Sequence, residues 1–124
     1  MRLTKHWRGQ ISTDEIRIYE ADALVAMGAV SSVVPQNVVE QLGVLSIGSR
    51  IAEYADGRKD CVDLTEPITF DIIGRETIES AMVLGDDVII GQTVLEVIDM
   101  QVDCHNQKLI PNLAHPDQPV VKIK

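Results

Sequence analysis

The stretch that decides the reading is Ala23-Leu24-Val25-Ala26-Met27-Gly28-Ala29-Val30-Ser31-Ser32-Val33-Val34-Pro35. Read alone, it is a buried strand with a bend at Gly28, since a glycine inside an apolar run marks a bulge or a close backbone approach. Pro35-Gln36-Asn37-Val38-Val39-Glu40-Gln41-Leu42-Gly43 follows directly. Proline suits the first helical position because its missing N–H has no partner there, and glycine suits the left-handed residue after the last turn. A helix of about two turns is expected, with Val38, Val39 and Leu42 on one face.

Working outward, Ile16-Arg17-Ile18-Tyr19 alternates and reads as a strand, while residues 1–14 read as a polar, irregular arm. A change of apolar parity at Glu20-Ala21 suggests a bulge. Downstream, Ile51 to Ala55 leads into Asp56-Gly57, a pair favoured in two-residue hairpin turns, and Arg58 to Leu64 returns. A second hairpin runs from Pro67 to Ile73, turns at Gly74-Arg75, and returns over Thr77 to Leu84. Val88-Ile89-Ile90 is closed by Gly91, and Gln92 to Ile98 has helical spacing at Val94, Leu95 and Ile98. Met100 to Val102 and Lys108 to Ile110 are short strands around His105-Asn106, and the tail ends in the alternating Val121-Lys122-Ile123. The order apolar strand, glycine, short helix thus occurs twice, at Leu24–Leu42 and at Val88–Ile98.

The length of 124 residues fits one domain. Fifteen valines and fourteen isoleucines against nine leucines favour pleated structure, because β-branched side chains lose rotamer freedom in helices. The predicted class is all-β, with several short strands and two brief helices in a small closed or sandwiched domain. Eleven basic and nineteen acidic residues give a net charge of −8, which offers phosphate backbones and anionic lipid no footprint. No nucleic-acid or membrane partner is expected. The longest apolar run, Ala23 to Val30, has eight residues against the roughly 18–20 needed to span a bilayer. The first ten residues have no apolar signal-peptide core, so a cytoplasmic protein with two reduced thiols, Cys61 and Cys104, is expected. Cys104-His105 with Cys61, His6 and His115 fits no compact zinc spacing, and adjacent side chains on a strand face opposite ways. No metal and no cofactor are assigned.

Three landmarks in order carry a resemblance: Ala26-Met27-Gly28-Ala29 with its following helix, the Tyr54-Ala55-Asp56-Gly57-Arg58 hairpin, and Ile89-Ile90-Gly91-Gln92 opening the second helix. Over roughly residues 14–112 the chain resembles the retroviral-type, or retropepsin-like, aspartic proteases, especially their small bacterial relatives. The resemblance implies a small closed β-barrel acting as a homodimer, with an N-terminal arm (1–13), the protease-like domain (14–112) and a C-terminal tail (113–124). It places Ala26, Met27 and Gly28 at the catalytic motif. It places Ala29, Tyr54, Ala55, Asp56, Gly57, Ile90 and Gly91 around an extended polypeptide, and makes Val121 and Ile123 a terminal strand that meets the partner copy.

The departure from the family falls on the motif itself. Ala26 stands where the family carries its catalytic aspartate, and Met27 where it carries threonine or serine. The mechanism needs two carboxylates about 3 Å apart sharing one proton, one from each copy. Alanine removes both, so an aspartic endopeptidase scaffold without catalysis is expected, whether as an inactivated enzyme or a natural pseudo-protease. Asp22 lies roughly 13 Å along an extended strand at ~3.3 Å per residue, too far to substitute. Asp56 and Asp86-Asp87 read as turn formers. The alternative from another class is a peptide-binding or dimerisation module on the same scaffold. An unrelated small β-barrel is the third.

Overall fold

A computed structural model describes residues 1–5, 18–20, 22–26, 28–106 and 108–123. The strand expected at Ile16-Arg17, the parity change at Ala21, His6 and Met27 lie outside these residues. Among those described, the chain is mainly β with two short helices, as its Val/Ile excess leads one to expect. In chain order the strands are β1 (Arg2–Lys5), β2 (Ile18–Glu20), β3 (Leu24–Val25), β4 (Val33–Val34), β5 (Ser46–Glu53) and β6 (Lys59–Thr65). They continue as β7 (Ile68–Ile72), β8 (Arg75–Glu79), β9 (Met82–Val83), β10 (Ile89–Ile90), β11 (Met100–Asp103) and β12 (Lys108–Pro111). Helix α1 (Gln36–Leu42) lies between β4 and β5, and α2 (Gln92–Ile98) between β10 and β11.

Among the described residues three sheets form, ordered β2-β1-β7-β8, β3-β10-β4-β9-β6-β5 and β11-β12. None of these hydrogen-bonded orders closes on itself among the described residues, so they are open sheets packed around one core. That core joins Leu3, Val34, Val38, Leu42, Ile68, Phe70, Val94 and Ile98, all essentially without exposure. Burying each such side chain contributes about 1.5–3 kcal/mol, enough to fix which strand face turns inward. In β7, Ile68, Phe70 and Ile72 alternate inward with a period of two.

Both helices form where their ends can be closed. Pro35 is the residue before α1, one position earlier than expected, and its absent N–H costs nothing there either. Gly43 at φ 69° returns its N–H to the Glu40 and Val39 carbonyls. Val38 and Leu42 are buried, with Val39 packed beside them. Helix α2 repeats the arrangement, with Gly91 before it and Asp99 at φ 58° after it.

Several local readings are corrected by long-range pairing. Residues 2–5 belong to a strand between β2 and β7 rather than an irregular arm, with Leu3 fully buried. A single leucine among polar neighbours shows no periodicity, and pairing with β7 decides its state. The second hairpin turns at Ile73-Gly74, one residue early, with φ of 53° and 78°, and Gly74 N–H donates to Asp71 Oδ1 at 3.1 Å. Positive φ is unusual for a β-branched side chain, so the residue types placed the turn one position late. The expected single strand from Thr77 to Leu84 is divided. β8 stays in the four-stranded sheet and β9 passes to the six-stranded one, with buried Ala81 at the crossing. Residues 120–123 form no strand in the single chain. Among the described residues no helix is long and apolar enough to cross a membrane.

Candidate functional site

The decisive stretch is not one bent strand. It is two short strands joined by a turn, and that turn is clamped to the β10–α2 junction. β3 pairs parallel to β10, aligning Leu24 with Ile89 and Val25 with Ile90, while β4 pairs antiparallel to β10 from its other side. The Ala26 N–H donates to the Ile90 carbonyl at 3.3 Å, and the Ala26 carbonyl accepts from Ala29 N–H at 3.0 Å, closing a tight turn. Past that turn the Ala29 carbonyl accepts from Gln92 N–H at 2.8 Å, and the Val30 carbonyl from Thr93 N–H at 3.2 Å. These last two bonds occupy first-turn donors of α2 that otherwise lack partners. Backbone bonds thus bring Ala26 and Ala29 to the Ile90–Gln92 junction that contains Gly91.

Gly91 is fixed by sterics. A Cβ there would lie 2.5 Å from the Ser31 carbonyl carbon and 2.7 Å from both the Ser31 and Val30 oxygens, all backbone atoms. The bare backbone lets its N–H reach Ser32 Oγ at 2.9 Å, in a buried contact. Gly28 differs: it is exposed, and a Cβ there would meet nothing within 4 Å. The Thr93 hydroxyl sits 2.7 Å from Glu79 Oε1 and 3.1 Å from the Val30 carbonyl, tying α2 to β8 and to the turn. Sequence reasoning missed Ser32, Thr93 and Glu79 as clamp residues. The only available signal was a hydroxyl pair beside a glycine-helix junction.

The hairpin expected to cover the site is long. β5 and β6 pair from Ser46↔Thr65 to Glu53↔Lys59, with an irregularity at Ser46/Gly48. Its tip is a three-residue loop instead of a two-residue turn. Tyr54 N–H donates to the Arg58 carbonyl at 2.8 Å, Gly57 N–H donates to the Tyr54 carbonyl at 2.9 Å, and Gly57 alone has positive φ, at 89°. Asp56 accepts from Arg58 N–H at 3.0 Å and pairs with the Arg58 guanidinium at 2.7 Å, while that guanidinium lies 5.0 Å from the Tyr54 ring centroid. Those bonds from Arg58 hold the Asp56 carboxyl below its ordinary value, and Asp60 raises the Tyr54 phenol. Ala55 and Gly57 are exposed at the tip.

The acids weighed as substitutes have different settings. Asp56 is engaged by Arg58, Asp22 is exposed before β3, and Asp86-Asp87 form an exposed turn. Around Ala26 the single chain leaves an apolar rim uncovered, with Leu24 57% and Val30 67% exposed. Leu45, Ile47 and Ile51, at and beside β5, are also exposed, and β5 is the outer strand of its sheet. Cys61 and Cys104 are free, exposed thiols. No protein-family model matches the chain, and no curated protein matches it in sequence.

Proposed function

We propose that two copies of this chain associate as a retropepsin-like homodimer, each completing a small barrel around a shared cleft that holds an extended polypeptide. Ala26 of each copy stands at the floor where that family carries its acid, so the assembly binds a polypeptide and does not hydrolyse it. The observation that carries this reading is the clamp between the Ala26–Val30 turn and the Ile90–Thr93 junction. Two segments some 60 residues apart are locked by three backbone hydrogen bonds and one glycine that tolerates no side chain. Such precision is unnecessary for an ordinary surface turn, and it presents Gly28 outward with its Cα uncovered.

Two further features support the reading. The apolar rim at Leu24 and Val30 is the kind of patch a second copy covers. Among the described residues the β5–β6 hairpin offers an unpaired strand edge, to which an extended chain adds through main-chain hydrogen bonds. A non-enzymatic peptide-binding role is thereby the form the function takes in this chain, with Ala26 in place of an acid.

The test pairs a library of extended, fluorescent peptides with sedimentation of the protein. Expected are a dimer, peptides whose anisotropy rises on titration, and intact peptides by mass spectrometry after prolonged incubation at acid and neutral pH. A strict monomer at high concentration that binds none of the library contradicts the reading.

A further inference from the structure

One carboxylate at the far end of α2 holds the end of the chain. Asp99 ends the helix in the left-handed conformation and lies largely covered, with 12% of its side chain exposed. Its Oδ1 accepts from Asn112 Nδ2 at 2.8 Å, while Oδ2 lies 2.7 Å from His115 Nδ1 and accepts from Val120 N–H at 3.0 Å. The Asp99 carbonyl accepts from Asn112 N–H at 3.0 Å and from the buried Arg75 guanidinium at 2.8 Å. Arg75 also reaches the Ile98 carbonyl at 3.0 Å and the His115 carbonyl at 2.7 Å. The chain is therefore anchored through Asn112 and His115, whereas beyond them, among the described residues, its hydrogen bond to Asp99 comes from Val120.

Little apolar burial adds to that last hold. Val120 is 43% exposed, Val121 56% and Ile123 92%. Val120, Val121 and Lys122 nevertheless line a groove of about 730 Å³ together with Leu95, Met100 and Val102.

We propose that residues 116–123 are a strap held at Val120 by the Asp99 carboxylate, with residues 120–122 walling this groove, so that loss of that one acceptor frees the strap and widens the groove. Asparagine accepts left-handed backbone readily, so Asp99→Asn keeps the helix ending while replacing the charged acceptor with a weaker amide. The inference does not depend on a shared cleft, since every contact lies within one chain.

The latch has a pH sense. Hydrogen bonds from Asn112 first, then from the Val120 backbone, and the nearby His115 hold the Asp99 carboxyl below its ordinary value. Its grip is complete above the ordinary carboxylate range and is lost as pH falls through the depressed value of the folded chain. The charged or titratable groups in contact with this residue are His115 on the tail and Arg75 from β8, while Glu96 on its own helix, Cys104 after β11 and Lys122 on the tail line the same groove.

The experiment compares the full-length chain with its Asp99→Asn variant by amide exchange in NMR. Exchange at Val120 is expected to accelerate at least tenfold in the variant. The Asp99-position amide, bonded to the Glu96 carbonyl, should keep its protection. Fluorescence of an anilinonaphthalene sulfonate dye added to the variant should rise as the groove widens. Equal protection of Val120 in both proteins would overturn the latch. Should the variant fail to fold, an acid titration of the unmodified chain decides. The Val120 amide resonance is expected to shift in step with the Asp99 carboxyl, and a Val120 signal indifferent to that protonation overturns the proposal.

Discussion

Ala26→Asp combined with Met27→Thr is expected to convert an inert chain into an acid-favoured endopeptidase, raising hydrolysis of an unfolded protein substrate by about 10⁴-fold or more over the unmodified chain. The size follows from how the two carboxylates act. Set about 3 Å apart across the dimer, they cannot both ionise, so one takes the water's proton while the other polarises the scissile carbonyl. They titrate as a pair, and activity should follow a bell-shaped pH profile on the acid side of neutrality. A statine-type inhibitor, which mimics the tetrahedral intermediate, should abolish it. The turn needed to present the acid already exists, because Ala26 is held by its N–H to Ile90 and its carbonyl to Ala29. A doubly substituted protein that folds, dimerises and binds peptide yet cleaves nothing would show that the scaffold is a binding module by construction.

The second large effect falls on stability. Gly91→Ala should lower folding stability by about 3 kcal/mol or more, whereas Gly28→Ala should leave it nearly unchanged. At Gly91 the new methyl carbon would sit 2.5 Å from a backbone carbon and 2.7 Å from two backbone oxygens, so no side-chain rotation can relieve the contact. Relief requires parting the Val30-Ser31 backbone from α2, which strains the bonds to Ser32 Oγ, Ala29 and Val30. Against a typical total of about 5–15 kcal/mol this is a large fraction. Urea denaturation of the three proteins measures the contrast. Coincident midpoints for Gly91→Ala and the unmodified chain would show that the clamp is loose.

How far the sequence could be read depended on whether each signal was local. Helix α2 is bounded as its spacing indicated, and α1 is displaced by one residue at its start, because caps and apolar faces are properties of neighbouring residues. The β11–β12 hairpin is likewise where its apolar pairs placed it. Leu3 in β1 and the division at Ala81 were not legible, since both are decided by partners more than a dozen residues away. Gly74 announced the turn of the second hairpin, but Ile73 gave no sign that it begins one residue earlier.

At the candidate site, the glycines were legible as landmarks but not as different kinds of glycine. Gly91 is required by its own chain, while Gly28 has open space before it, and only coordinates separate the two. Arg75 and Asp99 gave no warning at all. A buried guanidinium satisfied by three backbone carbonyls and a carboxylate collecting bonds from three tail residues follow no short motif.

In the proposed dimer, position 26 of one copy meets position 26 of another. Placing a single cysteine there, by Ala26→Cys in a chain whose exposed thiols are removed by Cys61→Ser and Cys104→Ser, tests it directly, because a disulfide forms only when the two Cα atoms approach within about 7 Å. Under mild oxidation the account expects nearly complete, reductant-reversible conversion to a covalent dimer at concentrations where the parent chain is already dimeric. A chain that stays uncrosslinked there, with its cysteine reactive towards a small alkylating reagent, would contradict the account.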